Sequence, residues 1–131
     1  MLEREIESSI RKVVAYLKDI NVSVTFSSSV TESCCDLYRY EITIPEYEER
    51  EVVLYSLLHE AGHFFLDAEN RDLPPNPDSL DVLFNEVLAW DRGREIAESL
   101  RLDFFEKDEY YEMSKESIEK YTAFFKLKIL Q

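Results

Sequence analysis

The chain has 131 residues, 45% of them hydrophobic and 33% charged, which fits one domain over 1–131 and is too apolar for a disordered chain. Asp and Glu number 28 against 15 Lys and Arg, a net charge of −13, and that field repels phosphate backbones and argues against nucleic acid as a partner. No run of about 18 apolar residues occurs, and charge enters at Glu3 without an apolar signal core, so no membrane partner is expected and the compartment expected is the cytoplasm, or a cell that a phage has entered.

Leu2, Ile6, Ile10, Val13, Leu17 and Ile20 recur at helical spacing, with Asn21 as the stop. Val22 to Phe26 alternates like a half-buried strand, and Ser27 to Ser33 reads as a loop, with a short middle strand around Val30 as an option. Tyr38, Tyr40, Ile42 and Ile44 alternate with polar residues, a second strand ending at Pro45. Glu48 to about Leu66 is helical and apolar on most sides, as a central helix would be. Asp67 to Asp78 holds Pro74, Pro75 and Pro77 and reads as a loop. Ser79 caps a long helix to about Leu102, and a further helix is expected over Ser114 to Lys126, with a short helical piece around Glu106 to Tyr111. The fold class expected is α+β: an N-terminal helix, a two- or three-stranded sheet, a central helix and two or three more. Cys34 and Cys35 fall in a loop, and adjacent cysteines rarely form a disulfide, so reduced thiols are expected.

The two histidines both sit in His59-Glu60-Ala61-Gly62-His63. This is H-E-x-x-H on a helix, and the i, i+4 spacing puts both imidazoles on one face, where two neutral nitrogens can bind zinc. Glu60 projects about 100° away, beside the metal rather than on it. Shuffling this composition gives the pattern roughly once in 450 tries. An amphipathic helix with two surface histidines has the same spacing, but Leu57, Leu58, Phe64, Phe65 and Leu66 surround the motif, and buried imidazoles need partners. Gly62 inside a helix costs about 1 kcal/mol against Ala, so Ala61 and Gly62 suggest a close approach of something bulky.

A catalytic zinc takes three protein ligands. In the next helix Ser79, Leu83, Glu86, Trp90, Gly93, Ala97 and Leu100 form one inward stripe with a carboxylate in its middle. Glu86 must pair, change protonation or bind a metal there. Pairing with Arg94 is the plain alternative. Glu69 competes as third ligand, and Asp67, at i+4 from His63, either orients a histidine or caps the helix.

His59 to His63, followed by Asn85-Glu86-Val87-Leu88-Ala89-Trp90-Asp91, resembles the gluzincin branch of zinc metallopeptidases, where the third ligand is a Glu on the following helix. Size and element order look like the minigluzincins, and Glu86 with Ala89 looks like the E-x-x-A of the ImmA/IrrE group, which cleaves repressor proteins in phage, mobile-element and stress systems. The resemblance implies a zincin-like fold, a Zn2+ cofactor on His59, His63 and Glu86, and a protein or peptide substrate cut by an endopeptidase. Thermolysin-like members continue N-E-x-x-S-D, the Asp orienting a histidine; here Trp90 takes that place and Asp91 follows. In zincins the strand before the motif helix, here Tyr38 to Ile44, lines the cleft and pairs with substrate backbone.

With zinc in place, the pKa of its water falls to about 7, and Glu60 takes the proton as general base and passes it to the leaving amine. A tyrosine must supply the second oxyanion donor, and Tyr55, Tyr110, Tyr111 and Tyr121 are the candidates. The aromatic C-terminal third, from Phe104 to Phe125, is expected to pack on other helices. A Cys34 or Cys35 thiolate capping the metal is an outside option. Two other readings stand beside the peptidase: a zinc-stabilised binding or regulatory protein without turnover, and a metal-free helical interaction module working through its acidic surface.

Overall fold

A computed structural model describes residues 2–46, 48–69 and 80–129. The elements in chain order are α1 (Leu2–Asp19), β1 (Ser23–Ser27), β2 (Cys34–Asp36), β3 (Glu41–Pro45), α2 (Arg50–Glu69), α3 (Leu80–Leu100) and α4 (Lys107–Ile129). The fold is α+β, four helices and a three-stranded mixed sheet ordered β1-β3-β2. No helix among the described residues is long and apolar enough to cross a membrane.

Helix α1 buries Ile6, Ile10, Val13 and Leu17 of the stripe its spacing predicts, together with Ser9, while Leu2 and Ile20 at the two ends of that stripe are exposed. Ser9 Oγ donates to the Glu5 carbonyl and accepts the Phe104 N–H, which ties α1 to the segment after α3. The helix stops at Asn21, whose φ is 65°. The Val22 N–H reaches the Leu17 carbonyl and the Asn21 N–H the Lys18 carbonyl, a Schellman closure with Asn in the left-handed position. Helix α3 closes the same way: Arg101 has φ 50°, and the Leu102 N–H turns back to the Ala97 carbonyl. Side chains, rather than glycine, occupy both stops.

Three expectations are corrected in the sheet and in α4. The middle strand is Cys34–Asp36, not the neighbourhood of Val30, so the two cysteines lie in a strand rather than a loop. The strand predicted from Tyr38 begins only at Glu41, because residues 37–40 form a turn. Asp36 Oδ1 accepts the N–H groups of both Tyr38 and Arg39, a local closure that a short Asp side chain makes at the cost of strand pairing. Tyr38 stands 97% exposed. The two predicted C-terminal pieces are one continuous helix, α4. The prolines of the loop from Asp67 to Asp78, and Ser79 as cap, lie outside the described residues.

β3 is the central strand, parallel to β1 and antiparallel to β2. Both its edges are therefore taken, and the strand before the motif helix cannot pair with a substrate. β2 is the edge strand beside it. Ile42 and Ile44 of β3 are fully buried, as are Val53, Leu54, Leu57, Leu58 and Ala61 of α2, so α2 is the central helix its sequence predicts.

Two glycines set how closely α2 and α3 cross. A β-carbon on Gly62 would collide with the Ala89 carbonyl oxygen, and one on Gly93 would meet the Leu58 carbonyl oxygen at 2.6 Å. The bulky neighbour expected at Gly62 is thus the α3 backbone itself. Gly62→Ala improves helix propensity by about 1 kcal/mol but must push the helices apart. Forcing a methyl into packed backbone costs about 1–3 kcal/mol or more. The expected result is net destabilisation, read as a lower denaturant midpoint.

Candidate metal centre

The crossing fixed by the two glycines brings Glu86 of α3 onto the histidine face of α2. Glu86 Oε2 lies 2.9 Å from His59 Nε2 and Glu86 Oε1 lies 2.9 Å from His63 Nε2, and the two Nε2 atoms are 3.2 Å apart. One donor atom from each of the three residues falls within 4.8 Å of the others, a group that could hold a metal ion. His59 and Glu86 are buried and His63 partly so. Burial works against the Glu86 charge, but hydrogen bonds from both histidines bring its carboxyl down to about 2. Burial also opposes a proton on His63, and the Glu86 carboxylate outweighs it, so the His63 pKa is raised. Arg94, the alternative partner of Glu86, pairs instead with Asp91 and Glu98.

Glu60 is buried and stands outside the three-donor group. Its Oε1 accepts from Ser33 Oγ at 3.2 Å and lies 3.6 Å from His59 Nδ1. Cys35 packs beside it: burial first, then the Glu60 carboxylate, push that thiol well above its ordinary value.

Trp90 follows Glu86 by four residues and stacks flat on His59, centroids 4.1 Å apart and planes 5° from parallel. The indole fixes the His59 ring plane by packing. The Tyr110 hydroxyl of α4 donates to the Trp90 carbonyl, and its ring meets the indole edge-on at 5.2 Å. Asp91 turns away: it is half exposed and holds Arg94 at 2.9 Å, so it does not orient His59 or His63. The side chains of Asp67 and Glu69, at the end of α2, lie outside the described residues.

The three donors open onto a cleft of about 1010 Å³. One wall is Thr31 to Cys35 with β2, another the His59–His63 face of α2, and a third the Met113, Glu116, Lys120 and Tyr121 face of α4. Of the four candidate tyrosines, only Tyr121 lines this cleft. Tyr55 donates to Glu109 and accepts the Glu106 N–H. Tyr110 is spent on Trp90, and Tyr111 lines a separate 230 Å³ pocket between α3 and α4. Sequence reasoning passes over Ser33 and Glu48, which reach the cleft only through the fold. Trp90 carries a usable signal, one turn after Glu86 on the same stripe.

No family model, curated protein or solved structure matches this chain. Its own geometry carries the functional reading.

Proposed function

We propose that the chain is a zinc metallopeptidase of the gluzincin type, with His59, His63 and Glu86 as ligands and Glu60 as general base. The observation that carries this is the convergence of two Nε2 atoms and one carboxylate within 4.8 Å, beside a buried fourth residue, Glu60, that stays out of the donor set. The donors suit zinc in kind, two imidazole nitrogens and one carboxylate, and one ligand atom from each lies within 4.8 Å of the others. Zinc bound there would supply Lewis acidity to water and to the scissile carbonyl.

The chain's own residues do the rest. Glu60 accepts the proton of the attacking water and delivers it to the leaving nitrogen, with Ser33 holding one of its oxygens. Trp90 keeps His59 in plane. Tyr121, the one candidate tyrosine lining the cleft, would donate to the developing oxyanion. Substrate backbone adds to β2, the edge strand that contributes Cys34 and Cys35 to the cleft wall.

Purified chain is expected to carry about one zinc per molecule and to cleave an unfolded protein until a chelator is added. Elemental analysis decides the first part: a content well below about half an equivalent after zinc supplementation removes the proposal. Zinc without cleavage leaves a binding or regulatory protein in its place.

A further inference from the structure

The sheet has two edges, and they differ. β2 lines the metal cleft and carries Asp36, with Glu32 shortly before it. β1 is the edge on the other side of β3. It reads Ser23-Val24-Thr25-Phe26-Ser27, and no residue from Ile20 to Thr31 carries a charge. All five of its residues pair with β3 in unbroken register, without a bulge. Edge strands are ordinarily blunted by a charge, a proline or a bulge, and β1 has none of the three.

The backbone groups of β1 alternate in direction. The Ser23 N–H donates to the Tyr40 carbonyl and the Ser27 carbonyl accepts the Glu46 N–H, each at 2.9 Å. In this parallel register Ser23, Thr25 and Ser27 turn their backbone groups to β3. Val24 and Phe26, between them, turn theirs outward, and among the described residues no strand lies on that side. Two N–H donors and two carbonyl acceptors therefore stand along the outer edge. The Val24 and Phe26 side chains pack partly buried against the core, and Thr25 is exposed on the opposite face.

These groups complement themselves. A second copy turned antiparallel about a two-fold axis at Thr25 sets Val24 against Phe26 of that copy, and Phe26 against its Val24. Each pair exchanges both of its hydrogen bonds, four in all. The same register lays valine beside phenylalanine on the core face and threonine beside threonine on the exposed face, both favourable cross-strand pairs. Charge selects this occupant too. Two chains of net charge −13 repel wherever their acidic faces meet, and the uncharged β1 edge lets them approach.

We propose that the chain forms a two-fold dimer through the outer edge of β1, with Thr25 on the axis and the two sheets joined into one. A strand paired with its own copy is an isologous contact, which closes at two. β3 separates this edge from β2 and the metal cleft, so the dimer does not depend on the peptidase reading.

The test weighs the full chain by sedimentation over about 1 μM to 1 mM, the range of a small interface. Mass should rise from 15.5 kDa toward twice that value. Amide hydrogen exchange at Val24 and Phe26 should slow as the dimer fills, while Thr25, already bonded to β3, keeps its rate. Thr25→Lys sets two ammonium groups face to face on the axis and Thr25→Glu two carboxylates, so each variant should remain monomeric. Their equimolar mixture should regain the doubled mass, because lysine then meets glutamate. Thr25 is exposed, and denaturant midpoints near the parent's show that both variants fold. A parent that stays monomeric at every concentration overturns the proposal. So does a dimer that Thr25→Lys leaves intact, or one in which the Val24 and Phe26 amides exchange as fast as in the monomer. A monomer whose two amides slow only when an extended valine-rich peptide is added gives the edge to a foreign strand and overturns the second copy.

Discussion

Glu60→Gln is expected to keep its metal and to lose at least about 10²-fold in peptide hydrolysis, the scale of a missing general base. Gln has nearly the same shape as Glu, so the buried site does not need to repack. Its amide oxygen can still accept from Ser33 Oγ, which sits 3.2 Å from Oε1 in the parent. What the amide cannot do is take a proton from water. Because Glu60 is not among the converging donors, metal content should match the parent. Activity and zinc are measured on the same preparation. If zinc falls with activity, Glu60 is a ligand. If neither changes, it is not the base.

The parts of the fold visible in sequence are those governed by local periodicity. The α1 stripe, the apolar all-round α2 and the α3 stripe each repeat for 18 or more residues, long enough for a 3.6-residue pattern to stand out. β2 has three residues, Cys34–Asp36, and alternation cannot be read over so short a span; pairing with β3 is what makes it a strand. Tyr38 and Tyr40 do alternate, yet Asp36 captures the N–H groups of Tyr38 and Arg39 and Tyr40 takes φ 56°. A hydrogen-bonding side chain beside the segment outweighs the β propensity of its tyrosines. α4 hides its continuity because its partners change along its length: Tyr110 packs on Trp90, while Glu116, Lys120 and Tyr121 face the cleft.

The site divides in the same way. The histidine pair is legible because one helix holds both, and Glu86 because it interrupts a regular stripe. The tyrosines are not rankable in sequence, since what separates Tyr121 from Tyr55 and Tyr110 is which neighbour each hydroxyl meets after folding. Gly62 and Ala89 explain each other only across the helix crossing. The small residues of both motifs, H-E-A-G-H and E-x-x-A, allow the two backbones close enough for Glu86 to reach both imidazoles.

Glu86→Ala should lose zinc in a chelator concentration that the parent withstands, with affinity down by at least about 10²-fold. Partners one shell farther out are already worth about 10–100-fold, and Glu86 supplies the only negative charge among the three donors. The variant leaves two neutral nitrogens, a weak pair for zinc. It also removes the hydrogen-bond partner of both histidines, so the metal-free variant should unfold at lower denaturant than the metal-free parent. In the presence of zinc the gap should widen, because only the parent gains the binding free energy on its native state. Asp91→Ala is the matched control from the same helix: its carboxylate faces Arg94 and solvent, and zinc should be retained. Asp67→Ala and Glu69→Ala should retain it as well. A chelator titration of the five proteins, read by metal content, gives the order directly. Parental zinc affinity in Glu86→Ala would remove the third ligand and the gluzincin assignment with it. Loss in Glu69→Ala or Asp67→Ala instead would move that ligand to the end of α2.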